Sequence, residues 1–116
     1  MFFTENEKKA ILWSIAFVLK ADGEFAPSES TFFNAEMKTF GITSSQFSSY
    51  INRLNKSEWV RTIQSLSHEK TEYMVSRWLA AIKADGKIKR EEIDFTGYMA
   101  SELGIDLSKY INAAIR

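Results

Sequence analysis

Apolar residues recur along the chain at three- and four-residue intervals, the spacing of one helix face. No segment alternates apolar and polar positions as a half-buried strand does. The pattern predicts helices over 5–22, 27–40, 44–54, 58–66, 68–85, 90–103 and 107–115. Two of them are apolar on most sides. The first holds Ile11, Leu12, Trp13, Ile15, Ala16, Phe17, Val18 and Leu19; the other holds Tyr73, Met74, Val75, Trp78, Leu79, Ala80, Ala81 and Ile82. A helix that is apolar nearly all round is buried, so these two are expected to form the central pair.

The starts of the helices are written in capping residues. Thr4 with Glu7, and Thr43 with Gln46, have the spacing of capping boxes, in which each side chain accepts a backbone N–H left over at the helix start. Ser57, Ser67 and Asp106 are further N-cap candidates. The single proline, Pro27, suits a first helical position, and Gly23, Gly41, Gly86 and Gly104 stand where helices are expected to stop.

Lys20-Ala21-Asp22-Gly23 recurs as Lys83-Ala84-Asp85-Gly86, 63 residues later. At the same offset Glu29 matches Glu92, Phe32 matches Phe95, Gly41 matches Gly104, Ile42 matches Ile105 and Ser45 matches Ser108. Residues 20–45 and 83–108 share nine identities in 26 positions without a gap. A duplication follows. The expected fold is an all-α, compact single-domain bundle of about seven helices, with halves near 5–54 and 68–115 and an internal pseudo-twofold axis. Each half carries a turn of pattern D-G-x-Φ-x-x-x-E. There Phe25 or Ile88 turns back to the core, and Glu29 or Glu92 enters the first turn of the next helix, where a carboxylate meets the positive dipole end.

A long apolar helix ending in K-A-D-G and followed by x-Φ-x-x-x-E, present at 20–29 and again at 83–92, resembles the TerB-like (tellurite resistance) family. The resemblance implies a helical bundle of this size and a role in tellurite and related stress responses in bacteria. It implies no established enzymatic activity. It also implies a suggested divalent metal site on acidic residues of the turns, here Asp22, Glu24, Glu29, Asp85 and Glu92. Helix capping by the same residues is the competing account. Lys83, Lys87, Lys89 and Arg90 crowd the second turn and work against a cation there.

Composition narrows the chemistry. Hydrophobic residues make up 45% and charged residues 26%, as in an ordinary globular domain. With no cysteine there is no disulfide and no thiolate site, which fits a reducing, cytoplasmic setting. The N-terminal residues lack the order of a secretory signal, and the longest apolar run, Ile15 to Leu19, is too short to span a bilayer. His68 is the only histidine, so no base-activated nucleophile and no zinc set is expected. Glu91 and Glu92 are adjacent and point to different faces of a helix, unlike an acid/base pair. An EF-hand loop with Asp22 at its fifth position would place Val18 and Lys20 where calcium needs oxygen, and the second copy offers Ala81 and Lys83.

Fifteen basic residues balance fifteen acidic ones, which gives no reason to expect nucleic acid. The distribution is uneven, with nine Lys/Arg against four Asp/Glu over 51–90. If the central pair is antiparallel, the turns lie at opposite ends of the molecule. The expected result is an acidic pole at Asp22, Glu24 and Glu29 and a basic pole at Lys83, Lys87, Lys89 and Arg90. The function expected is a non-catalytic interaction module with an unidentified protein partner and no cofactor. A weak divalent metal site is the alternative. The stripe Trp59, Val60, Ile63 and Leu66 is expected in the core, with Trp59 a second candidate for a docking face.

Overall fold

A computed structural model of the chain describes residues 2–20, 27–84 and 90–114, with side chains at all of these except 27–29 and 111–114. These residues form seven helices and no strand: α1 (Glu5–Leu19), α2 (Pro27–Phe40), α3 (Ser44–Asn52), α4 (Lys56–Gln64), α5 (His68–Ile82), α6 (Arg90–Glu102) and α7 (Leu107–Ala114). The all-α bundle read from the sequence is the fold. No helix among the described residues is long and apolar enough to cross a membrane.

The capping boxes form as written. The Thr4 hydroxyl accepts the Glu7 N–H at 3.1 Å while Glu7 accepts the Thr4 N–H at 2.8 Å, and Thr43 with Gln46 repeats the exchange. Ser67 caps α5 through the Lys70 N–H. At α4 the expectation of Ser57 fails. Asn55 is the cap, its side chain accepting the Glu58 N–H at 3.2 Å, and the helix begins two residues earlier than expected. Asparagine caps as well as serine does, and the earlier cap adds Lys56 and Ser57 to the helix. The central helices stop sooner than expected, at Leu19 and Ile82, with Lys20 and Lys83 as C-caps. Gly23, Gly86, Phe25 and Ile88 lie outside the described residues.

The duplication extends to the helix limits. α5 begins and ends 63 residues after α1, and α6 and α7 begin 63 residues after α2 and α3. α2 and α3 pack on α1 as α6 and α7 pack on α5. The buried positions repeat as well: Phe33, Glu36 and Met37 of α2 correspond to Thr96, Met99 and Ala100 of α6, and Phe40 to Leu103 just past its end. α2 and α6 also end alike. Gly41 and Gly104 take φ of +70° and +72°, and the next residue's N–H reaches back five residues, Ile42 to the Met37 carbonyl at 2.9 Å and Ile105 to the Ala100 carbonyl at 2.8 Å. This is the Schellman stop, which needs a left-handed residue that glycine adopts without Cβ strain. α4 has no counterpart. It links the halves and packs on α1.

The central pair is parallel, which corrects the antiparallel expectation. Near the helix starts the Lys70 ammonium donates to the Glu7 carboxylate at 2.8 Å. Half-way along, the Trp78 indole N–H donates to the Ser14 hydroxyl at 2.8 Å. Start meets start and middle meets middle, so both helices run the same way. Glu7 and Lys70 are themselves repeat equivalents, and equivalents touch only close to a twofold axis. Leu19 and Ile82 therefore finish at one end of the molecule; Asp22, Glu24, Lys87 and Lys89, on which the expected acidic and basic poles rest, lie outside the described residues. Burial alone would raise the Glu7 carboxyl. The Lys70 ammonium and the Thr4 backbone N–H outweigh it and hold the group below the usual glutamate range.

Trp78 is the largest fully buried side chain; Ile11, Leu12, Ile15, Leu19, Met74 and Val75 are fully buried too. Trp59 is core too: it is buried, and its indole N–H donates to the Ala10 carbonyl at 3.0 Å. Between α2 and α5 the buried carboxylate of Glu36 pairs with the Arg77 guanidinium, which lies over the Phe32 ring at 5.4 Å.

Candidate functional site

Of the acidic residues singled out in the sequence, Asp22, Glu24 and Asp85 lie outside the described residues, as does the side chain of Glu29. Glu92 is described. It stands in the first turn of α6, as expected, but is only 1% exposed. Among the described residues no three Asp, Glu or His side chains cluster as a metal site would need. His68 is exposed, as expected, its ring tilted against Tyr110 with centroids 5.2 Å apart and 3.7 Å from the Glu72 carboxylate.

A different surface stands out. Aromatic rings form a continuous row from the core to solvent: Trp13 against Phe17 at 4.7 Å, Phe17 against Phe95 at 6.0 Å, and Phe95 against Tyr98 at 6.5 Å. Phe17 also meets Trp59 at 6.0 Å. All four distances lie in the range where aromatic pairs attract. The row ends in the open, with Phe17 36% and Tyr98 63% exposed. Phe17 forms part of the floor of an apolar groove of about 180 Å³ between α4 and α6. Each wall is one helical stripe at i, i+4 spacing: Lys56 and Val60 on α4, Tyr98 and Glu102 on α6. Lys56 and Glu102 are exposed, and neither is in an ion pair among the described residues.

The duplication does not repeat these exposed aromatics. At the same offset of 63 residues, Phe17 corresponds to Ala80 and Tyr98 to Ala35, while the inward Phe95 corresponds to Phe32. The other half has alanine where the groove shows a ring. Large exposed apolar side chains gathered in one groove mark an interaction site more often than chance does.

Two other clefts are polar. One, about 370 Å³, is lined by Asn6, Lys9, Tyr50, Arg53 and Glu58 among others. Burial, with the Glu58 charge adding to it, pushes the Tyr50 phenol up to about 12, so it remains a neutral hydroxyl at physiological pH. Its neighbours Gln46 and Asn55 are already engaged in capping. The second, about 500 Å³, lies between α5 and α7 beside His68 and Tyr110.

No family model matches the chain, and no curated protein matches it. Among solved structures, a crystal structure of a protein of unknown function from Porphyromonas gingivalis W83 is similar, with a TM-score of 0.74 and 23% identity. The likeness covers 98% of this chain and 97% of that one. At such identity the comparison shows a common fold and nothing about activity.

Proposed function

We propose that the chain is a non-catalytic interaction module of the TerB-like kind, serving a bacterial tellurite-type stress response and acting through the aromatic groove of α1, α4 and α6. The observation that carries the interaction reading is the pair of exposed rings, Phe17 and Tyr98, at positions where the duplicated half has alanine. The stress assignment rests on the doubled K-A-D-G turn alone. To test the module, a photo-crosslinking amino acid is placed at position 98 and, as a control, at the exposed position 109, and the cells are irradiated. Discrete crosslinked protein from position 98 but not from 109 is expected. Equal or absent crosslinking from the groove overturns the reading.

The second reading, divalent cation binding through the turns, is favoured by one feature of the fold. The parallel pair sends both turns off from the same end, at Lys20 and Lys83, and Glu92 enters α6 with a buried carboxylate. Titration calorimetry is expected to be silent for calcium in the sensor range of about 10⁻⁷–10⁻⁵ M and to show weak binding at about 10⁻⁴–10⁻³ M. That weak binding is expected to be lost in Asp22→Asn/Asp85→Asn. No heat at about millimolar calcium, or heat unchanged in the double variant, overturns this reading.

A further inference from the structure

We infer that the polar cleft of about 370 Å³ between α1, α3 and α4 is a binding site for a small hydroxycarboxylate. Three helices contribute to it. Asn6 and Lys9 come from α1, Gln46 and Tyr50 from α3 with Arg53 as its C-cap, and Asn55 and Glu58 from the start of α4. Within each helix these residues stand three, four or seven apart, so each set lies on one helix face. Glu58 stands about 160° around α4 from Lys56 and Val60, which wall the aromatic groove. The inference is therefore independent of the groove.

The lining is rich in donors. Gln46 and Asn55 engage their amide oxygens with the Thr43 and Glu58 backbone N–H groups. Their amino groups remain, and an amide amino group only donates. The Tyr50 hydroxyl, kept neutral by its surroundings, makes no hydrogen bond to another described residue. Lys9 and Arg53 bring two cations and Glu58 one carboxylate, and none of the three is in an ion pair among the described residues. One positive charge is left over. A carboxylate balances it through charge-assisted hydrogen bonds, whereas a phosphate group, at about −1.5 to −2, carries too much charge. Ligand hydroxyls both accept and donate, as the amide amino groups and the Glu58 carboxylate require. The second half of the chain does not repeat the set. At the offset of 63 residues Lys9 corresponds to Glu72, Gln46 to Lys109 and Tyr50 to Ala113, and α4 has no counterpart.

The test is titration of the isotope-labelled full chain with gluconate and with glycerate, followed in amide correlation spectra. Glucose, hexanoate and inorganic phosphate are titrated beside them. At least one hydroxycarboxylate is expected to bind with a Kd below about 1 mM and to move the side-chain amide signals of Gln46 and Asn55. Glucose lacks the carboxylate and hexanoate the hydroxyls, and each is expected to bind about tenfold more weakly or worse. Lys9→Gln/Arg53→Gln is expected to weaken hydroxycarboxylate binding by about tenfold or more, with helical signal and thermal midpoint unchanged. Glu58→Gln removes the opposing charge and is expected to tighten phosphate binding relative to wild type. Failure of both hydroxycarboxylates to move those signals at about 10 mM overturns the assignment. So does hexanoate or phosphate binding as tightly as the better hydroxycarboxylate, or binding unchanged in the Lys9/Arg53 double variant.

Discussion

Trp78→Ala is expected to cost about 3–5 kcal/mol of folding stability. A domain of this size holds about 5–15 kcal/mol in all, so the variant stands near the edge of folding at room temperature. Two effects combine. Removing a fully buried indole from between α1 and α5 leaves a cavity in the core, and close-packed helices relax into such a space only in part. The Ser14 hydroxyl, itself fully buried, also loses the donor it accepts from and keeps only its own bond to the Ile11 carbonyl at 2.6 Å. Trp78→Phe separates the two, because it keeps most of the volume and deletes the N–H. It is expected to cost about 1–2 kcal/mol, in the range of one lost buried hydrogen bond and a small cavity. Urea unfolding followed by circular dichroism measures both. A loss below about 1 kcal/mol for the alanine variant would show that the central pair does not close around this ring.

The parts of the fold legible in sequence are the local ones. A capping box spans four residues, and a Schellman stop needs a glycine at one position. Thr4, Thr43, Gly41 and Gly104 accordingly predicted helix limits that the structure reproduces. Asn55 and Ser57 are both favoured N-cap residue types two positions apart, and the sequence alone does not choose between them. The direction of α5 relative to α1 was not local: it depends on how four connections turn, and no residue records that. The repeat held more than was taken from it. Position 36 is a glutamate where its equivalent, position 99, is a methionine that faces the core. A charge at an inward position calls for a partner, and Arg77 on α5 is that partner. The exposed groove was recorded in the same way, in Phe17 against Ala80 and Tyr98 against Ala35. Position by position, departures between the halves mark where one half does something the other does not.

The Glu36–Arg77 pair follows from one such departure, and its two partners are not equal. Glu36 has a side chain 5% exposed, whereas that of Arg77 is 31% exposed. Among the described residues, Glu36 Oε2 and Arg77 Nε find no hydrogen-bond partner, so the pair repays its desolvation only in part. Arg77→Met strands the buried carboxylate and is expected to cost about 3–5 kcal/mol. Glu36→Met releases an arginine that can turn its head to water along an aliphatic stem, and it places at position 36 the residue the other half already has, Met99. Its expected cost is below about 1 kcal/mol. In Glu36→Met/Arg77→Met no charge is left buried, and stability is expected to return to within about 1 kcal/mol of wild type or above it. Urea unfolding of the three variants closes a double-mutant cycle whose coupling energy reports the pair. If Arg77→Met proves as mild as Glu36→Met, the carboxylate reaches water in solution, and α2 packs less closely on α5 than this arrangement requires.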